Sequence, residues 1–197
     1  MWQARWPMSE NLRNFTKAIF GVDAVVTRVP DDAWDNPSPC EGWTARDVLG
    51  HHVGVLAGIA HMAAGQDMIA PTTPEDLSDP QGLWAEARDS VLETLDQPGS
   101  LQHHGKYWFG PMTIDQLLGI TVWDPLAHAW DIGKSTGVDA VLAEDVVAAS
   151  AATIGAMRDG LAKRQLVGAE VSVAEGASAV DRFLGLIGRD PDWLPGA

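Results

Sequence analysis

An aspartate and a histidine four residues apart, Asp124 and His128, are the pair in this sequence best suited to chemistry. On an α-helix residues i and i+4 project from one face, so a carboxylate and an imidazole would lie side by side. This spacing lets two side chains bind one metal ion, and a catalytic centre commonly takes a third protein ligand and leaves a fourth position open. The nitrogen donors that can supply the third ligand are His51, His52, His61, His103 and His104.

Two simpler interpretations compete with a metal site. Asp124 followed by Pro125 is also a helix-start signal, in which the aspartate caps the first turn and no metal binds. His128 alone is more typical of a hydrogen-bonded core histidine than of a ligand. Against the cap, the apolar repeat that begins after Thr113 continues to about Thr136. It predicts one helix that passes through Pro125 and bends there.

The third ligand is best sought on a helix predicted from Thr44 to about Gly65. Thr44 and Asp47 form a capping-box pattern at its start. At about 100° per residue His52 falls in the middle of the apolar stripe, whereas His51 falls on its edge beside glycines. Asp124 and His128 also lie at the edge of the apolar stripe of the helix predicted after Thr113. The three edge positions can therefore meet in a groove between helices, which favours His51 over His52.

Composition limits the class of protein. The 197 residues suit one domain, which we place at 9–197, with residues 1–8 as a disordered or non-native N-terminal extension. Thirteen Lys and Arg against 27 Asp and Glu give a net charge of −14, which opposes binding to nucleic acid. The single cysteine, Cys40, excludes an intrachain disulfide and predicts nitrogen and oxygen metal ligands in a cytoplasmic protein. We expect no membrane span.

The remaining pattern predicts further helices and one hairpin. Helices are expected near residues 9–29, 81–96 and 143–161 and in a short C-terminal piece that begins at Ser178, and an extended stretch is expected near 167–173. The turn-rich stretch 101–111 predicts a hairpin or an ordered loop, whose aromatic residues we expect to fill the core.

Trp123 and Trp130 fall on the face of the Asp124 helix that lies away from its apolar stripe. That face predicts a second packing surface, either for the C-terminal segment or for a homodimer partner.

Three stretches carry a resemblance to a known family. They are PSPCEGWTARDVLGHHVG from Pro37, DPLAHAWDIGKSTG from Asp124 and DRFLGLIGRDPDW from Asp181. Together they resemble the DinB-like metal-binding superfamily, in the branch related to the N-terminal domain of mycothiol-dependent maleylpyruvate isomerase. The resemblance implies an all-α, four-helix bundle that binds a divalent metal through one histidine and an acid-x-x-x-His pair. Carried over by position, these ligands are His51, Asp124 and His128, and the isomerase is expected to have Glu where this chain has Asp124.

The function implied by this resemblance is a thiol-dependent transferase or isomerase. An open metal position would activate water or a low-molecular-weight thiol such as mycothiol against a small-molecule substrate. Zinc is the expected ion, and Ni2+, Fe2+ and Mn2+ remain open with these ligands. Asp131 is either an outer hydrogen-bond acceptor for a ligand or a solvated surface acid. The alternative function is a non-catalytic homodimeric metal-binding protein with a sensing, storage or relic site. A fourth ligand from His103 or His104 would favour that alternative.

Overall fold

The fold is an all-α bundle with one small hairpin. The computed structural model describes residues 8–67, 69–107 and 109–195. Its elements are α1 Glu10–Val26, α2 Ala45–Ala63, α3 Pro80–Leu95, β1 His104–Tyr107, β2 Gly110–Thr113, α4 Ile114–Thr121, α5 Trp123–Thr136, α6 Glu144–Lys163 and α7 Ala179–Leu186. The predicted fold class is confirmed. Most of the predicted N-terminal extension, residues 1–7, lies outside the described residues, and Met8 packs against the core.

Polar side chains fix where the helices begin. Capping boxes form at α2, α4 and α7, where Thr44, Thr113 and Ser178 each exchange hydrogen bonds with the residue three positions on. Each box satisfies backbone N–H groups that the first helical turn leaves free. The start signals of these helices therefore fall where the sequence predicted them.

The helices that carry the candidate ligands pack directly on each other. α2 contacts α3 and α5, while α1 contacts α3, α4 and α5, and these elements enclose one apolar core. Large side chains that are fully buried in this core include Phe15, Leu56, Ile59 and Trp84. Burial of side chains of this size contributes about 1.5–3 kcal/mol each, so packing of the core holds α2 and α5 in register.

The predicted continuous helix through Pro125 is in fact two helices. α4 ends at Thr121, Val122 intervenes, and α5 begins at Trp123. Pro125 therefore lies in the first turn of α5, where backbone N–H groups have no intrahelical acceptor and a missing one costs little. The break removes the penalty of about 3 kcal/mol that a proline inside a helix would carry.

Trp123 and Trp130 pack within the protein, on the face that was predicted to be a second packing surface. Trp123 is 8% exposed and Trp130 is 7% exposed, and both belong to the core. The ammonium of Lys134 lies 5.4 Å from the Trp130 ring centre and donates a hydrogen bond to the Pro191 carbonyl at 2.8 Å. The C-terminal segment therefore packs on this side of α5 at Trp130, which is the first of the two alternatives predicted for this face.

The predicted hairpin forms, whereas the predicted extended stretch does not become a strand. β1 and β2 pair antiparallel, with His104 opposite Thr113 and Tyr107 opposite Gly110, which confirms the predicted hairpin. Tyr107 is buried and Phe109 packs partly against the core, whereas Trp108 lies outside the described residues. The stretch 167–173 forms no strand, and its backbone bonds to the end of α7 instead, for example from the Val171 N–H to the Gly185 carbonyl at 2.9 Å.

None of the described helices combines the length and the apolar character that crossing a bilayer requires.

The segment after α2 folds back across glycines of that helix. A Cβ added at Gly54 would lie 2.6 Å from the Thr72 carbonyl oxygen, and one at Gly50 would lie 2.9 Å from the Thr73 methyl. Real Cβ atoms essentially never come so close to backbone. Gly54 is therefore required by the close approach of two backbones, even though glycine is a poor helix former.

Substitution of Gly54 by alanine tests this contact. We expect Gly54→Ala to lower the free energy of unfolding by about 1–3 kcal/mol, because the segment at Thr72 must move. The matched control is Gly155→Ala in α6, whose added Cβ would meet nothing within 4 Å. That control should raise stability by about 0.5–1 kcal/mol through helix propensity. Urea unfolding measures both values, and a stabilising Gly54→Ala would contradict the packing described here.

Candidate metal centre

Three side chains from two helices converge on one point. His51 on α2 and Asp124 and His128 on α5 each offer one ligand atom, and these atoms lie within 4.8 Å of one another. A tetrahedral zinc ion with bonds of about 2.0–2.2 Å holds its ligand atoms about 3.4 Å apart. Small side-chain rotations would close that difference, so the nitrogen, oxygen and nitrogen donors fit a divalent ion.

His51 forms the more exposed side of this cluster. It is half-buried, and its ring centre lies 5.2 Å from that of Trp43 and 5.3 Å from that of His128. Trp43 is 38% exposed, so the cluster meets solvent along this edge. Burial lowers the pKa of His51 to about 4, partly offset by the charge of Asp124. The ring is therefore neutral near pH 7 and has a lone pair available for a metal ion.

The Asp124 carboxylate is shared between two histidines. Its Oδ2 lies 3.1 Å from Nδ1 of His52, and its Oδ1 lies 3.4 Å from Nε2 of His128. Burial opposes its ionisation, but His128 and His52 outweigh that effect and hold the pKa of Asp124 well below its usual value. Its side chain makes no N-terminal cap on α5. Asp124 and Pro125 therefore mark a helix start, as that interpretation held, but the aspartate lies in the first turn and does not cap it.

His128 is held at both of its ring nitrogens. Its Nδ1 lies 3.0 Å from Oδ2 of Asp131, one turn further along α5, while Nε2 faces Asp124. Burial alone would lower the pKa of His128. The charge of Asp124 and the hydrogen bonds to Asp124 and Asp131 raise it well above the ordinary value instead.

Asp131 is completely buried, so the interpretation of it as a solvated surface acid is wrong. The guanidinium of Arg189 donates to both of its oxygens, at 2.8 Å from Nε and 2.9 Å from Nη2. The Cys40 thiol donates to Asp131 Oδ2 at 3.3 Å and accepts from Arg189 Nη2 at 3.1 Å. The burial of Asp131 would raise its pKa, but the bonds from His128 and Arg189 lower it overall.

Tight turns bring Cys40 and Arg189 to this point. Gly42 adopts φ +78° in the loop before α2, where the Trp43 N–H donates to the Cys40 carbonyl at 3.0 Å. Gly188 adopts φ +83° after α7, and the Arg189 N–H donates to the Leu184 carbonyl at 2.9 Å. Such left-handed turns at helix ends favour glycine.

Sequence reasoning did not anticipate three members of this network. Arg189 and Cys40 are 58 and 91 residues from Asp131 in the chain, so no local pattern connects them. His52 was predicted to be buried, which is correct, but its contact with Asp124 was not foreseen. The only available signal was that Cys40 and Arg189 both lie in the motif stretches that carry the resemblance.

The other histidines lie elsewhere. His103 lies against Gly65, beyond the end of α2, and His104 is exposed on β1. Gly65 is 14 residues along the chain from His51, which corresponds to about 21 Å if the stretch is helical. Among the described residues no fourth His, Cys, Asp or Glu joins the group of His51, Asp124 and His128.

Comparisons with known proteins agree with this architecture. The family model described as Mycothiol maleylpyruvate isomerase N-terminal domain matches residues 15–133, a range that contains all three converging side chains. An uncharacterized protein of Mycobacterium tuberculosis strain CDC 1551 / Oshkosh is 32% identical over 67% of this chain and 72% of its own length. An uncharacterized protein of M. tuberculosis strain H37Rv matches with the same identity and coverage.

A solved structure shares the fold. The crystal structure of the mycothiol-dependent maleylpyruvate isomerase superposes with a TM-score of 0.62 over 95% of this chain and 91% of that chain, at 17% sequence identity. The common fold extends beyond the range of the family match, into α6 and α7. On the family match and these relatives, the chain belongs to the mycothiol maleylpyruvate isomerase N-terminal domain family.

Proposed function

We propose that this protein binds one divalent metal ion, most simply zinc, through His51, Asp124 and His128, and that it is a thiol-dependent transferase or isomerase. The observation that carries the proposal is the convergence of three suitable donor atoms from α2 and α5 within 4.8 Å. Three protein ligands with a fourth position left for another molecule are typical of catalytic zinc sites. A structural zinc site would instead be closed by a fourth side chain.

The protein's own contribution is to prepare the ligands. Neutral His51 presents a lone pair, ionised Asp124 presents an oxygen, and Asp131 fixes the orientation of the His128 ring through Nδ1. A bound divalent ion would supply Lewis acidity, which lowers the pKa of a thiol or water and polarises a carbonyl group. Nitrogen and oxygen ligands of this kind also suit Ni2+, Fe2+ and Mn2+.

The exposed edge at Trp43 and His51 is the side from which a thiol and an electrophile would approach. The remainder of the centre is closed, because His52 and Asp131 are fully buried and His128 is 5% exposed. Burial on that side excludes water and strengthens the electrostatic interactions among the charged groups. Substrates would therefore meet the ligand set from one direction only.

Mycothiol is the thiol that we propose as cosubstrate. The support is the family match and the name of the solved relative, which is a mycothiol-dependent maleylpyruvate isomerase. The substrate itself we propose only as a small electrophilic molecule. Asp124 has a shorter side chain than the Glu that is expected at this position in the isomerase. Contacts with His52 and His128 set the position of its carboxylate in this chain.

Metal content is the first test. Purified protein should contain about one zinc or similar ion per chain. His51→Ala combined with His128→Ala should contain less than a tenth of that amount, because two of three ligands are gone. His104→Ala, which removes an exposed histidine outside the cluster, is the matched control and should retain the metal. Elemental analysis measures all three proteins, and a parent that takes up no metal even with added zinc would reject the proposal.

Thiol chemistry is the second test. With mycothiol and a reactive electrophile such as 1-chloro-2,4-dinitrobenzene, the metal-loaded parent should consume free thiol at least about 100-fold faster than the His51→Ala, His128→Ala protein. A chelator should slow the parent to the rate of the variant. Added zinc should restore the faster rate in the parent but not in the variant. Stoichiometric metal with equal rates in both proteins, across several electrophiles, would support the non-catalytic metal-binding alternative.

The role of Asp131 is the third test. Asp131→Asn keeps the shape but leaves the Arg189 guanidinium without its buried anion, so the free energy of unfolding should fall by about 3 kcal/mol. Replacing the charged acceptor at His128 with a neutral amide should weaken metal binding about 10–100-fold. The control is Asp35→Asn, whose ion pair with Arg46 is 78% exposed on the aspartate side. That variant should lose less than about 1 kcal/mol.

Urea unfolding of metal-free protein and competition with a chromophoric chelator give the two values for each variant. An Asp131→Asn protein that unfolds and binds metal like the parent would contradict the proposed role of this carboxylate.

A further inference from the structure

We infer that His52 is a positioning residue for the metal centre: it holds the Asp124 carboxylate in the orientation that points one oxygen at the ligand cluster. The inference rests on the proposed metal site and adds a residue that itself donates no ligand atom to it. His52 and the ligand His51 are adjacent in sequence. On a helix their side chains diverge by about 100°, so one reaches the cluster directly and the other acts from within the core.

The geometry connects His52 to the cluster through one carboxylate. His52 Nδ1 lies 3.1 Å from Asp124 Oδ2, while the other oxygen, Oδ1, lies 3.4 Å from His128 Nε2. A carboxylate anchored at one oxygen cannot rotate freely about its own axis. The bond from His52 therefore determines which way Oδ1 faces.

The hydrogen on His52 can be assigned from its partner. An ionised carboxylate only accepts hydrogen bonds, so Nδ1 must carry the hydrogen and donate it to Asp124. In a neutral ring Nε2 then keeps a lone pair. This Nε2 is buried and has no hydrogen-bond partner among the described residues.

The unpaired nitrogen makes His52 a poor choice for stability alone. The ring is 0% exposed, and a buried polar atom without a partner costs stability that an apolar side chain of the same volume would not. Within the described part of the chain, its one hydrogen bond goes to Asp124, and its ring also lies edge-on to that of His128 with centres 5.7 Å apart. The residue type at position 52 is therefore explained by the carboxylate and not by the core.

The third helix supports the His52 ring. Trp84 of α3 stacks on it with ring centres 5.6 Å apart and planes 15° from parallel. Trp84 is itself fixed, because its Nε1 donates to Asp23 Oδ1 of α1 at 3.0 Å. α3 thus contributes no ligand, yet it sets the plane of the ring that orients Asp124.

Two substitutions separate positioning from packing. His52→Met keeps the volume nearly constant and cannot donate a hydrogen bond. His52→Asn places an amide N–H close to the position of Nδ1 but leaves a void beside Trp84. The matched control is Ile59→Val, also fully buried on α2 and about two turns further along. Each protein is measured for its dissociation constant for Zn2+ by chelator competition and for its Tm without metal.

The two variants are expected to differ in Zn2+ affinity. His52→Met should lower Tm by several degrees, because it removes a hydrogen bond from the Asp124 carboxylate, and should raise the Zn2+ dissociation constant about 10–100-fold. His52→Asn should lose several degrees in Tm and bind Zn2+ within about threefold of the parent, because an Asn amide restores the bond to Asp124. Ile59→Val should change Tm slightly and leave Zn2+ binding unchanged. The absorption spectrum of Co2+-loaded protein should shift in His52→Met and be restored in His52→Asn.

Other outcomes overturn the inference. Zn2+ binding by His52→Met equal to that of the parent would show that the carboxylate needs no anchor. A parallel fall of Tm and affinity in both His52 variants would show a purely structural role. If the parent binds no Zn2+, the proposed function fails and the inference fails with it, whereas parent binding with unaffected variants rejects the inference alone.

Discussion

The structure depends on one mostly buried carboxylate that two helices share. Asp124 of α5 contacts His52 of α2 at one oxygen and approaches His128 of its own helix at the other. An ionised carboxylate is costly to bury unless it is paired and hydrogen-bonded. The packing of α2 on α5 must therefore keep these partners in place, and the same packing brings His51 to the cluster. The stability of the bundle and the geometry of the candidate centre are set by the same contacts.

A second buried ion pair ties distant segments to this centre. Asp131 lies behind His128 and is held by Arg189 from the turn after α7, with the Cys40 thiol from the loop before α2 in contact with both. Removing the Asp131 carboxylate would leave the mostly buried Arg189 guanidinium without its anion. The loop before α2 and the C-terminal segment, which provide no ligand, therefore control the orientation of a ligand on α5.

Much of the fold could be predicted from the sequence because local signals determine it. The capping pairs at Thr44, Thr113 and Ser178 start helices through contacts over three residues, and the placement of His52 in the core followed from periodicity. What could not be predicted depends on tertiary context. The pattern left open whether the C-terminal segment or a second chain packs near Trp130, and the bonds of Arg189 and Cys40 to Asp131 join residues with no sequence proximity. The proximity of His51, Asp124 and His128 was predicted from their positions at the edges of the apolar helix stripes and from the resemblance. Their role as metal ligands remains a prediction.

The interruption at Val122 has an electrostatic consequence. Because α5 starts anew at Trp123, Asp124 lies in the first turn of a helix and not in the middle of one. The peptide dipoles of a helix add up to a partial positive charge at that end, which stabilises an anion by about 0.3–1 kcal/mol at exposed positions and more when partly buried. A longer, uninterrupted helix would have offered no such field at this position. The peptide groups of α5 thus add to the effect of His128 and His52 on the Asp124 carboxylate, so the negative charge that would attract a metal ion is supported partly by the backbone.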